Sequence, residues 1–426
     1  MNQSMNIKLI FCLLIFISQA NILSATEKNK QRKIESPEFK ERGGLPNFFK
    51  KAFHGDSINV AYFVGSITAQ GGYRVLSFNW FQEQFRKAKF HQVNAAIGGT
   101  GSKFGVFRLQ EHVLKYKPDL VFVEFAVNDG RQVRDQILRS MEGIVRGIWK
   151  QNPKTDICFV YTMCGEFVPI LKNQQLPIQV MAMEEVAQHY GIPSINYQIE
   201  VSKRLQDHSL ILMNKEKQVN GIPVFSPDGV HPYVETGHAI YFDVLKRSFA
   251  KMDQHQKAKT HKLIKPLYPN FFANAHMIEP GQASYSGDWH MLDTTSTAVS
   301  GFKKLISHVA QSHQTGATMN LKFKGPAIGF CDIIGPDAGR VIVEIDGSVK
   351  DTLYRFDKYC TYFHLNYYIV ENLKDAIHDV VFCVLADPID KVKILKQIGN
   401  EMKNPDDFKE NNWSVSKILI NGFLLP

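Results

Sequence analysis

The chain has 426 residues, longer than one compact core usually runs, so two domains, each with its own interior, are expected. A composition of 44% hydrophobic and 21% charged residues is that of an ordinary globular protein and excludes a disordered or fibrous chain. The formal charge of +9 comes from scattered Lys and Arg, without the basic and aromatic clustering of a nucleic-acid module. It reads as solubility, with attraction to an anionic polysaccharide as the sharper alternative, and no nucleic-acid partner is expected.

The opening MNQSMNIKLIFCLLIFISQANILSA carries Lys8, an apolar stretch from Leu9 to Ile17, and small residues at Ser24 and Ala25. That is the pattern of a secretory signal peptide over residues 1–25, which predicts a secreted or periplasmic protein. No run approaches the roughly 20 apolar residues of a transmembrane span. Cys12 sits behind the bulky Phe11, which disfavours lipid attachment. Beyond this segment remain Cys158, Cys164, Cys331, Cys360 and Cys383, an odd and widely spaced set that is no disulfide framework, although one or two bridges stay open. None has C-x-x-C spacing and no His pair reads H-x-x-x-H, so neither a metal nor another cofactor is implied. Residues 26–56 are expected to be a solvated lead-in, with Leu45 to Phe53 packing onto the first domain.

From Ile58 strands and helices alternate. Asn59 to Gly65 reads as a buried strand, Tyr73 to Lys89 as a helix with Val75, Phe78, Phe81 and Phe85 at helical spacing, and His91 to Ala96 as a second strand. A helix across Phe104 to Tyr116, a strand at Leu120 to Ala126, a helix at Gln132 to Lys150 and a strand at Ile157 to Thr162 continue the pattern. Ile178 to Tyr190, Ile192 to Asn196 and His238 to Met252 close it as helix, strand and helix. Apolar strands separated by amphipathic helices predict a parallel sheet covered on both faces, with ligands beyond the carboxyl ends of its strands.

Four stretches fall at those ends. The first strand stops at Gly65-Ser66-Ile67-Thr68, which delivers the Ser66 hydroxyl to the sheet edge. Asn94 to Gly99 (NAAIGG) and Val123 to Asp129 (VEFAVND) follow later strands, and Ser226 to Pro232 (SPDGVHP) supplies Asp228 and His231 between two prolines. A serine needs a base to accept its proton, and a carboxylate can hold the base in the useful tautomer. Singly, each stretch is an ordinary turn, helix cap or surface loop. Their joint order carries the reading. Glu124, inside an apolar strand, is expected to be a buried carboxylate satisfied by a neighbouring backbone amide.

The four blocks resemble those of the SGNH (GDSL-type) hydrolases, a superfamily of serine esterases on a flavodoxin-like sheet. The family's Gly-Asp-Ser-x-Thr is here Val64-Gly65-Ser66-Ile67-Thr68, with Gly where Asp is usual. A literal Gly55-Asp56-Ser57 precedes the strand and is read as a decoy. The third block, usually Gly-x-Asn-Asp, is Ala126-Val127-Asn128-Asp129, and the last, Asp-x-x-His-Pro, is intact. The resemblance covers residues 57–256. It implies a catalytic triad of Ser66, Asp228 and His231, and an oxyanion hole of the backbone amides of Ser66 and Gly99 with the side-chain amide of Asn128.

After a basic linker at residues 257–270, with Pro266 and Pro269, short alternating segments dominate: Met319 to Lys324, Val341 to Ile345, Tyr362 to Val370, Val380 to Leu385 and Ser416 to Ile420. Turn dipeptides Asp346-Gly347 and Asn421-Gly422 punctuate them, so residues 271–426 are expected to form an all-β, jelly-roll-like sandwich. Secretion and such a domain point to a serine esterase removing O-acyl, above all O-acetyl, groups from a carbohydrate. The alternatives on this fold are a lipid or other small-ester hydrolase, an acyltransferase, and a catalytically silent glycan-binding protein. Trp289, Tyr362, Phe363, Tyr367, Tyr368 and Trp413 are the aromatics that could stack on sugars if exposed.

Overall fold

The structure, a computed structural model, describes residues 37–426 except 270, 294, 304 and 386. The segment 1–25, read from the sequence as a signal peptide, lies outside the described residues. The first sheet contains β1 (Phe39–Lys40), β2 (Ser57–Val64), β3 (Lys89–Asn94), β4 (Leu120–Glu124), β5 (Asp156–Tyr161) and β6 (Ser194–Asn196) in the order β1-β6-β5-β4-β2-β3. All neighbours are parallel except β1, which runs antiparallel to β6. Without β1 this is the flavodoxin-like order, and strand succession reverses between β2 and β4. Every residue of β4 and β5 is buried, as a sheet covered on both faces requires. On one face Phe48, Phe81 and Phe249 interlock, with Phe81 centroids 5.2 Å from each of the other two. On the helix Arg134–Gln151 the core face is Ile137, Met141, Ile144, Val145 and Ile148.

The lead-in is more structured than its composition implies. From residue 37 it supplies β1 and the helix Pro46–His54, which buries Phe48, Phe49 and Ala52. Asp156 accepts the Asn47 and Phe48 amides at 2.8 Å each, satisfying donors at that helix's start. The basic linker is likewise strapped down. His261 stacks on Trp149 at 4.6 Å, and Glu142 accepts the amides of Leu267 and Tyr268 at 2.6 and 2.7 Å.

The second domain is a large antiparallel sheet system of ten strands. Its two long strands, Thr318–Ile334 and Trp413–Leu425, pair along most of their length and exchange outer partners half-way. Thr318 to Lys324 pairs with Ile377–Leu385, whereas Ile328 to Ile334 pairs with His364–Val370. The short strands expected at Met319 and Ser416 are therefore parts of longer ones that bend at bulges. Phe330, Phe382 and Trp413 fill the interior, which removes Trp413 from the sugar-stacking candidates; Tyr362 stays exposed.

The domains share a buried seam along the helix Ser102–His112. Ala327, Cys331, Ile369 and Leu419 join the first domain's core, and Tyr367 stacks on Phe104 at 5.0 Å. Lys417 pairs with Glu111 at 2.9 Å, and Arg139 with Glu371 at 2.7 Å. All five cysteines beyond the opening segment are free thiols. No helix among the described residues is long and apolar enough to cross a membrane.

Candidate active site

β2 ends at Val64, Gly65 is extended, and Ser66 opens a four-residue helix, so the chain turns sharply and leaves the serine half-exposed on the rim. Arg74 holds the far side of this turn by donating to the Thr68 carbonyl at 2.9 Å, and Thr68 Oγ1 meets Tyr73 Oη at 2.7 Å. The buried His238 locks it to the closing helix: Nδ1 accepts the Tyr73 amide at 3.2 Å, and Nε2 lies 2.9 Å from Gln70 Oε1. Since the amide can only donate, the proton of His238 sits on Nε2. Burial, with the nearby His231 as a smaller contribution, pushes its pKa down to about 4.

The strand Ile222–Ser226 aims the last block at Ser66. Ser226 Oγ accepts the Gly229 amide at 2.6 Å, and the Gly229 carbonyl accepts the Gly165 amide at 2.8 Å. Asp228 Oδ1 takes the amides of Val230 and His231 at 2.9 and 2.8 Å, leaving Oδ2 at 2.7 Å from His231 Nδ1. His231 Nε2 then stands 2.9 Å from Ser66 Oγ. Partial burial raises the Asp228 carboxyl, but the His231 amide and ring and the Val230 amide outweigh it and hold the group below the ordinary carboxylate range. An ionised carboxylate only accepts, so Nδ1 carries the ring proton and Nε2 offers its lone pair to the serine.

The two middle blocks close on the same point. A Cβ on Gly98 would lie 3.6 Å from Ser66 Cβ, and Gly99 follows at φ +70°, with open space where its side chain would project. A Cβ on Gly65 would lie 2.0 Å from Asn128 Oδ1. Glycine at 65, in place of the family's Asp, therefore lets the Asn128 side chain lie against the serine turn. Beneath, the buried Arg108 donates to the Ala95 carbonyl at 2.6 Å and the Val64 carbonyl at 3.3 Å, tying the ends of β2 and β3 together.

Two buried carboxyls brace these loops. Glu124 Oε1 accepts the Ala126 amide at 3.0 Å, the arrangement expected for it. Burial raises its pKa to about 7 against the opposing bonds from Thr162, Ala126 and Val127. Asp129 Oδ1 takes the Ser102 amide at 2.8 Å and joins the third block to the start of the helix after the second; burial raises it to about 7 as well. In sequence Asp129 reads only as part of a helix-start cap, and its place beside Asn128 is the one signal that could have singled it out. Arg108 and His238 give none, because their partners are backbone carbonyls and amides distant in sequence.

Residues 53–238 match the model of the GDSL-like lipase/acylhydrolase family. The first domain is a GDSL-like hydrolase domain. By class the chain is a serine ester hydrolase. Among solved structures, a two-domain esterase active on acetylated mannans, co-crystallised with mannopentaose, is 20% identical with a TM-score of 0.70, covering 92% of this chain and 97% of its own. The same esterase without that ligand aligns at 19% identity and TM-score 0.70, covering 92% and 98%. At such identity the likeness is one of fold, and it extends beyond the GDSL-like domain across both halves of the molecule. No curated protein matches the sequence.

Proposed function

We propose that this hydrolase removes O-acetyl groups from a carbohydrate outside the cytoplasm, with Ser66 as nucleophile, His231 as general base and Asp228 as its orienting partner. The observation that carries the reading is the line Asp228 Oδ2, His231 Nδ1, His231 Nε2, Ser66 Oγ, with contacts of 2.7 and 2.9 Å. Ser66 Oγ attacks the ester carbonyl carbon while its proton passes to His231 Nε2. The resulting oxyanion is met by the amides of Ser66 and Gly99 and by the Asn128 side chain, each such donor being worth about 3 to 4 kcal/mol. Collapse expels the sugar oxygen, which takes the proton from His231. A water, deprotonated by the same imidazole, then attacks the acyl-serine and releases acetate.

The substrate class rests on two supports. The site is open, with the His231 and Asp228 side chains 35% and 48% exposed, which suits an ester on a long polymer better than a lipid tail needing enclosure. The structural relative that shares both domains acts on acetylated mannans. The purified protein should release acetic acid from p-nitrophenyl acetate and from acetylated mannan or xylan, and Ser66→Ala should release none from either. Hydrolysis of long-chain lipid esters in preference to every acetylated glycan would contradict the substrate class, and an active Ser66→Ala would contradict the mechanism.

A further inference from the structure

The second domain contains a side-chain cluster that ester hydrolysis does not use. The loop between the strands Ser348–Tyr354 and His364–Val370 gathers Asp357, Cys360 and His364, so that one ligand atom from each lies within 4.8 Å of the others. His364 Nε2 is 3.2 Å from Asp357 Oδ2, and Cys360 Sγ is 3.5 Å from Asp357 Oδ1. On a tetrahedral zinc with bonds of about 2.0 to 2.3 Å, neighbouring ligand atoms stand roughly 3.3 to 3.5 Å apart. The two contacts have about that length, made to the two oxygens of one carboxylate, and the thiol and imidazole ligand atoms stand within 4.8 Å of each other.

The hydrogen-bond pattern points the same way. His364 Nδ1 faces the Tyr362 carbonyl at 3.2 Å, and a carbonyl can only accept, so Nδ1 carries the proton. Nε2, on the other side of the ring, points at the Asp357 carboxylate in an ion-pair contact, and a cation can take the place of the Nε2 proton there without moving either group. A carbonyl on the far ring nitrogen is how metal-binding histidines are commonly oriented. Cys360 is fully buried among Ile334, Ala338, Phe356 and Leu395, with the Asp357 amide donating to its Sγ at 3.2 Å. The loop is held in this shape by the Cys360 amide on the Asp357 carbonyl at 3.1 Å and by Asn400 Nδ2 on the Lys358 carbonyl at 2.9 Å.

We propose that Asp357, Cys360 and His364 bind a zinc-class divalent cation through carboxylate, thiolate and imidazole, with water at the fourth position. The partly exposed side of His364 and Asp357 admits that water. A thiolate in the set selects zinc over magnesium or calcium, and binding releases the thiol proton to solvent. The cation fixes the start of the strand that carries Tyr367 onto Phe104 and leads to Glu371, both on the seam with the hydrolase domain.

The test uses the whole protein, stripped by a chelator and titrated with Zn2+ and, separately, Co2+. One equivalent per chain should bind, cobalt should give a thiolate charge-transfer band with tetrahedral ligand-field bands, and zinc should raise Tm. Cys360→Ser should abolish the charge-transfer band, and His364→Ala should weaken zinc binding by more than the 10- to 100-fold typical of losing an outer partner of a metal ligand. Because Cys360 is buried, His364→Gln on the more exposed side serves as a second variant, with circular dichroism reporting the fold. Absence of metal uptake by the stripped wild type, or uptake that the His364 variants leave unchanged, would overturn the proposal and reduce the cluster to an ion pair.

Discussion

β2 begins on the serine of the literal family tripeptide Gly55-Asp56-Ser57 and runs at its other end into Gly65-Ser66. The two serines are nine residues apart, about 30 Å at ~3.3 Å per strand residue, and their surroundings differ in kind. Around Ser57 the charges are peripheral: His54 and Asp56 pair on the exposed surface, and Lys51 pairs with Asp119. Around Ser66 the fold buries Arg108, Glu124, Asp129 and His238 and gives each a bond to backbone or a neighbouring loop. Burying such groups is costly unless they are satisfied. The end of the strand where polar groups are buried to hold loops is the end with a site to hold, and a three-letter motif does not reveal which end that is.

The largest effect should come from the serines themselves. Ser66→Ala is expected to lower turnover by about a thousandfold or more, and Ser57→Ala to leave it unchanged, in steady-state assays on one acetyl ester. A dead Ser57→Ala beside an active Ser66→Ala would reverse the comparison.

Next in size is the contact that explains the glycine at 65. Asn128→Ala should lower kcat by about 10²- to 10³-fold with little change in KM. Gly65→Ala, which puts a Cβ where Asn128 Oδ1 now sits, should displace that side chain and cost a similar factor. The double variant should then be hardly worse than either single one. Fully additive losses would mean that Gly65 and Asn128 act independently.

The apolar strands, their alternation with helices and the order of the four blocks were legible in sequence because each depends on local pattern. The departure from the family pattern at Gly65 was visible as a letter but not as a reason, since the reason is Asn128 across the rim; the alanine at 126 has no structural explanation. The helix Tyr197–Gln206 and the small strands Ile211–Met213, Gln218–Val219 and Ile222–Ser226 were missed. Their apolar runs are too short to give a period. Residues 37–44 read as solvated because they are rich in charge, yet they supply an edge strand, while the packing expected of Leu45 to Phe53 is made by Leu45, Phe48, Phe49 and Ala52 on one helix face.

The smallest effect concerns stability at the Ser66 end. Glu124 has a folded pKa of about 7, above its ordinary value of 4.5, so its contribution is full below pH 4.5 and is lost as pH rises towards 7. His238, lowered from 6.5 to about 4, contributes fully above pH 6.5 and loses that contribution as pH falls towards 4. The two oppose each other in the wild type. Asp129, also raised to about 7, acts in the same sense as Glu124. Glu124→Gln should therefore remove one of the two carboxyls that offset His238, and the Tm of the variant should climb more steeply, or fall less, than that of the wild type between pH 4.5 and 7. Parallel curves would show that Glu124 does not titrate in that window.

The central claim, that Ser66 and not Ser57 is the nucleophile, is tested most directly by covalent labelling. The purified protein should react with a fluorophosphonate at one site per chain and lose ester hydrolysis in proportion. Mass spectrometry of the digested protein should place the adduct on Ser66, and His231→Ala should abolish the labelling. An adduct on Ser57, or inactivation without modification of Ser66, would contradict the account.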